Sequence, residues 1–257
     1  DVDGGKDNSD LPDSLSNRYA RWYNELAKRL REFDPEGRVI AYGYSCYRSP
    51  PTEIKRLEPN IWIGYVGFNA YPRSQEYGKM SRDEWQGWSS RGATVFLRSN
   101  SLFYAGEGAP HVFTRQIAED FRFQVKNGLR ATDYDCLQGF WATNGPSYYV
   151  QARLLWDTDA DVDDLLNEFY SGFGPMGPII REYYEYWEGF TARLATHPEI
   201  EGRNRTQRIQ AFPEVYTDEV ISRAWDILLK TKTLAKKATS EQQQRMQNII
   251  LGHKHGQ

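Results

Sequence analysis

The feature that most constrains this chain is the order in which two hydrophobic periodicities alternate. Between Ser14 and Phe33 apolar residues fall at Leu15, Tyr19, Trp22, Leu26, Leu30 and Phe33, spacings of three and four that describe one face of an amphipathic helix. Asp34-Pro35-Glu36-Gly37 breaks it. Residues 38–47 (RVIAYGYSCY), 60–68 (NIWIGYVGF), 93–104 (ATVFLRSNSLFY) and 128–139 are short, aromatic and β-branched, and predict four buried strands. A helical stretch at 111–127, with Phe113, Ile117, Phe121 and Val125 on one side, separates the last two.

After residue 145 the pattern is helical only. The aspartates of DTDADVDD suit a helix N-terminus, with Val162, Leu165, Leu166, Phe169 and Tyr170 facing inward and Gly172 and Gly174 at the end. Pro175 or Pro178 opens a further helix, and two more are expected around 217–237 and 240–251. Residues 196–210 are polar and form the best candidate linker. Trp156, Phe169, Tyr183 and Trp187 are expected in the core of this region, and Trp85 and Trp88 read as packing residues.

Strands alternating with helices imply parallel βα units, and near-continuous apolar strands imply a sheet covered on both faces. Four strands do not close a barrel, which needs eight. The last two strands end in polar and aromatic clusters, where barrel enzymes build their sites. The expected class is therefore α/β: the C-terminal half of a (β/α)8 TIM-type barrel over residues 1–157, followed by an all-helical region over 158–257. A four-stranded open α/β sheet is the alternative.

Composition excludes several functions. A net charge of −3 gives no basic face for nucleic acid, and no apolar run is long enough to span a bilayer. There is no phosphate-binding Gly-rich loop, no His-Glu-x-x-His and no Gly-x-Ser-x-Gly. His111, His197, His253 and His255 are scattered, the last two resembling a tail, so no metal site is expected. Cys46 and Cys136 read as small buried apolar residues, and nothing supports a disulfide between them. Aromatic content is high, 14% with 8 Trp and 17 Tyr, which suits equally a filled core and a sugar-stacking cleft.

One stretch carries a resemblance. Leu155-Trp156-Asp157, the Asp-rich helix start, Glu168-Phe169-Tyr170 and Phe173-Gly174 are similar to the family called domain of unknown function 4838, glycoside-hydrolase-like barrels akin to barrel α-glucuronidases and β-hexosaminidases. Ala41-Tyr42 followed by Pro50-Pro51, Glu58-Pro59-Asn60, and Gln138-Gly139 also match. The resemblance covers roughly residues 1–190, and a Cys-containing motif often found near the start is missing from KDNSDLPDS. It implies that the four strands are the fifth to eighth of a barrel, that Asp1-Val2-Asp3-Gly4-Gly5 is the loop after the fourth, and that the protein is periplasmic or secreted.

Catalytic groups of barrels lie at the C-terminal ends of strands, and glycoside hydrolysis needs two carboxyl groups. The acids so placed are Asp3 and, on the last strand, Asp133 and Asp135, which point the same way by alternation. Asp133 or Asp135 could instead pair with Arg98 or Arg130. Arg98 and Asn100 interrupt an apolar strand, and a carboxylate or a sugar acid would supply the partner that a buried Arg requires. With Tyr44, Tyr104, Trp141 and Asn144 they form the expected substrate-binding set. The leading function is hydrolysis of a complex polysaccharide, acidic ones included, without a cofactor; the alternatives are a non-catalytic carbohydrate-binding or assembly module and an unrelated α/β protein with a helical interaction domain.

Overall fold

The computed structural model describes residues 15–68, 73–99, 109–134, 140–201 and 205–255. Asp3, Asn100, Tyr104, Asp135 and Cys136 lie outside them. Helix α1 (Ser16–Phe33) leads into β1 (Val39–Gly43), a 3-10 turn at Ser45–Tyr47 and β2 (Ile61–Tyr65). Helix α2 (Gln75–Ser90), β3 (Thr94–Ser99), α3 (Thr114–Lys126) and β4 (Thr132–Tyr134) follow. The strands form one sheet in the order β1-β2-β3-β4, every neighbouring pair parallel, so all four carboxyl ends share an edge. The chain is thus α/β, with the four strands in the expected places but shorter than their apolar runs.

Backbone contacts divide the chain into two compact units: 1–102, 120–137 and 204–206, which hold the sheet, and 103–119, 138–203 and 207–257, which are helical. In the sheet unit one face is covered. Ala20, Tyr23 and Ala27 of α1 and Trp85 and Trp88 of α2 pack with Ala41, Ile61, Ile63, Tyr65, Val95 and Leu97 in a single core. The alanines let α1 approach the strands closely. Its buried stripe therefore runs through Ser16, Ala20, Tyr23 and Ala27, while Trp22 (59%) and Phe33 (86%), expected on the apolar face, are exposed. Periodicity identified the helix correctly but centred its buried stripe on the bulky residues rather than the small ones.

The other sheet face is different. Alternation places Ile40, Tyr42, Trp62, Gly64, Phe96, Arg98 and Asp133 there. Ile40 is 66% and Tyr42 38% exposed, although parallel sheets are normally covered on both sides. Gly64 sits at the centre of this face. A methyl group added to it would come within 2.6 Å of Phe96 Cζ and 2.8 Å of Tyr42 Cδ1, so its lack of a side chain lets rings from both neighbouring strands close over β2.

The helical unit contains α4 (Trp141–Trp156), α5 (Val162–Ser171), α6 (Gly177–Leu194), α7 (Arg205–Val215), α8 (Asp218–Leu229), α9 (Thr231–Leu234) and α10 (Ser240–His255). Asp161 caps α5, its Oδ1 accepting from the backbone N–H of Asp163 (2.8 Å) and Asp164 (3.1 Å). Phe169 packs edge-on against Tyr170, Phe173 and Tyr184, and Tyr183 and Trp187 are buried with it. Trp156 is 92% exposed, contrary to expectation. The buried stripe of α4 runs through Thr143, Ser147, Val150, Gln151 and Leu154, and two residues beyond Leu154 the helix has turned its side chain outward. The expected polar linker at 196–210 is in part helix, since α7 begins at Arg205.

Two histidines lie in this core. His111 is buried, with Nδ1 3.1 Å from Tyr216 Oη and its ring against Phe212. His253, expected in a tail, is instead buried on α10, stacked on Trp225 with its Nδ1 3.3 Å from Tyr183 Oη. Burial, and for His111 also the Arg208 charge, lowers the pKa of each from 6.5 to about 4.

Two outcomes follow from this packing. Phe169→Ala should cost about 3–5 kcal/mol in urea denaturation as a large-to-small core change, whereas Trp156→Ala should stay within about 0.5 kcal/mol of wild type. Between pH 6.5 and about 4 the unfolded chain binds a proton at His111 that the folded chain refuses, so the stability is complete above pH 6.5 and is lost as pH falls toward 4. Each such proton contributes a slope of about 1.4 kcal/mol per pH unit. Urea midpoints of wild type and His111→Gln across this range should converge as pH drops; parallel profiles would exclude His111 as the source.

Candidate functional site

The candidate site is the shared carboxyl edge of the sheet. Register pairs Arg98 on β3 with Asp133 on β4, and the Arg98 Nη1 donates to Asp133 Oδ2 at 2.5 Å. Arg98 also lies over the Tyr42 ring, 5.3 Å from its centroid. Tyr42, Gly64 and Phe96 share one register layer, and Arg98 and Asp133 occupy the next layer toward the carboxyl ends. Asp133 is half-exposed and Arg98 mostly covered, which leaves the carboxylate the more accessible partner. This arrangement can donate to and accept from a polar ligand side by side, next to an aromatic surface.

Beside this pair, the segment after β1 is held firmly. Ser45 adopts φ +50°, the left-handed region that non-glycine residues rarely occupy. Tyr47 stacks on Tyr19 of α1 at 4.1 Å, and Leu15 N–H donates to Cys46 O at 3.0 Å. Arg48 turns from the edge to Glu84 of α2: Arg48 Nε (2.9 Å) and Tyr65 Oη (2.6 Å) donate to Glu84 Oε2, while Ser49 Oγ donates to Oε1 at 2.6 Å. Burial, followed by the Glu84 charge, raises the Tyr65 pKa well above its ordinary value, so the phenol remains a donor. The Trp88 indole N–H fixes the Arg48 carbonyl at 2.7 Å. Tyr44 begins this turn in extended backbone geometry, partly exposed.

The segment before α2 is anchored in the same manner. Arg73 Nε donates to the buried Asp120 at 2.8 Å, and Arg82 Nη2 reaches the same carboxylate at 3.2 Å.

Of the residues expected from sequence, Arg98 and Asp133 are therefore brought together, and the rival reading of an Arg98–Asp133 ion pair is realised in them. Asp3, Asn100, Tyr104 and Asp135 lie outside the described residues. Trp141 and Asn144 belong to the helical unit. Trp141 is 53% exposed, stacks on Tyr148 and, with Phe140, Asn248 and Leu251, lines an apolar groove of 480 Å³. Asn144 is fully buried, its Nδ2 3.1 Å from Thr143 Oγ1. Tyr42 is the residue that the expected set missed. The available signal was alternation: Tyr42 stands two positions before Tyr44, opposite a glycine on β2. Among the described residues no three His, Cys, Asp or Glu side chains gather to hold a metal ion, and no helix is long and apolar enough to cross a membrane.

Comparison with known proteins gives a family match. Neither curated proteins nor solved structures yield one. A family model described as domain of unknown function (DUF4838) matches residues 6–185, which include all four strands, α1 to α5 and the first half of α6. A match over more than half of its length means that this chain belongs to the DUF4838 family.

Proposed function

We propose that the chain forms the C-terminal half of a (β/α)8 barrel whose carboxyl edge hydrolyses glycosidic bonds in a polysaccharide. The observation that carries this reading is the cluster of Asp133, Arg98 and Tyr42 on the exposed face at the strand ends. Two arguments support it. A parallel sheet with helices on one face and an exposed Ile40 on the other has the form of an opened barrel, in which further βα units cover the inner face. Sugar sites also combine a carboxylate, a donor fork and a ring surface, because a pyranose offers hydroxyls on its rim and C–H groups on its faces.

Hydrolysis requires a second carboxyl group, for which Asp3 and Asp135 are the candidates. In that arrangement Arg98 orients Asp133, and no cofactor is needed. Such a role places the protein in the periplasm or outside the cell. The non-catalytic carbohydrate-binding module remains the second reading, favoured by the fact that the one described carboxylate on this face is already ion-paired.

The test is a polysaccharide panel assayed with the full chain and with Asp3→Asn, Asp133→Asn and Asp135→Asn. Loss of a carboxyl that takes part in bond cleavage should lower kcat by about 100-fold or more while the circular dichroism spectrum is retained. Unchanged turnover in both Asp133→Asn and Asp135→Asn would remove the last strand from the reaction. Saturable binding without turnover by wild type would select the binding module.

A further inference from the structure

We infer that this edge takes uncharged sugars, holding two neighbouring hydroxyls between the Asp133 carboxylate and the Arg98 guanidinium, and that it discriminates against uronates and sulfated sugars. The inference rests on the carbohydrate reading above and names the substrate class of the same site.

An anionic sugar is recognised by a cation that has no carboxylate of its own. Here each described arginine at or just beyond a strand end is already matched. Arg48 is held by Glu84 at 2.9 Å, Arg73 by Asp120 at 2.8 Å and Arg98 by Asp133 at 2.5 Å. Arg82, the second donor to Asp120, lies over Phe123, which packs against the helix-covered core rather than the exposed face. The stretches 69–72, 100–108 and 135–139, outside the described residues, contain no Lys, Arg or His, and Glu107 and Asp135 are their charged residues. Of the two partners expected for Arg98, a carboxylate or a sugar acid, Asp133 supplies the first.

A neutral diol fits the pair without any added charge. One hydroxyl donates to a carboxylate oxygen while its neighbour accepts from a guanidinium N–H, so the ion pair presents an acceptor and a donor side by side. Tyr42, 38% exposed beneath Arg98, offers an apolar surface to the C–H side of the ring.

Calorimetric titration of the full chain would compare neutral gluco-, galacto- and manno-configured oligosaccharides with oligogalacturonates and glucuronate-bearing oligosaccharides of equal length, at low and high salt. The neutral series should bind at least about tenfold tighter and without salt dependence. Asp133→Asn, at a half-exposed position that tolerates an isosteric amide, should weaken neutral binding and strengthen uronate binding by about tenfold, now with salt sensitivity. Arg98→Gln should weaken neutral binding with no gain for uronates. Tighter uronate binding by wild type, or an unchanged preference in Asp133→Asn, would overturn the charge inference and leave the carbohydrate reading standing. If no saccharide of either kind binds, both fall.

Discussion

The Glu84 carboxylate is the contact on which the sheet unit depends. It is buried on α2, and it receives hydrogen bonds from the centre of the sheet through Tyr65 and from the segment after β1 through Arg48 and Ser49. A buried carboxylate with three donors is satisfied; with Arg48 removed it becomes an unpaired buried charge, at a cost of about 3–5 kcal/mol. Through Arg48, and through Trp88 on the Arg48 carbonyl, the helix layer fixes the path of the chain as it leaves β1. The strained Ser45 and the partly exposed Tyr44 are held in place by that anchor. The candidate site thus inherits its shape from a contact on the opposite side of the sheet.

Much of this architecture was legible in the chain itself. The alternation of short apolar runs with 3.6-period segments located each strand and indicated parallel pairing, because connections containing helices favour it. Pairing partners were less accessible. That Arg98 meets Asp133, rather than Arg130 doing so, depends on the register of β3 against β4, and a slip of one residue would send the side chains to opposite faces. The stripe of α1 was misplaced for a related reason. A helix approaches a sheet most closely where its side chains are smallest, so Ala20 and Ala27 decide the contact although Trp22 and Phe33 dominate the hydrophobic signal.

The unusual aromatic content divides unequally between its two explanations. Phe169, Tyr170, Phe173, Tyr183, Tyr184, Trp187 and Phe190 form a buried chain of edge-to-face contacts in the helical unit, and Tyr65, Trp85 and Trp88 fill the core of the sheet unit. Most rings therefore serve packing. Tyr42 and Trp141 are exposed, as are Trp22, Phe33, Phe140 and Trp156, and composition alone had no means of separating them from the rest.

Gly64 has one more consequence. The Tyr42 and Phe96 rings meet over it one layer below Arg98 and Asp133, so how closely they approach β2 is set by an atom that is missing. Position 64 then acts as a steric dial. Alanine would displace both rings, and with Tyr42 the Arg98 guanidinium stacked on it, whereas glycine lets the rings meet. Within a family built on this sheet, a single methyl group at that position offers a route by which the aromatic floor beneath the Arg98–Asp133 pair can shift.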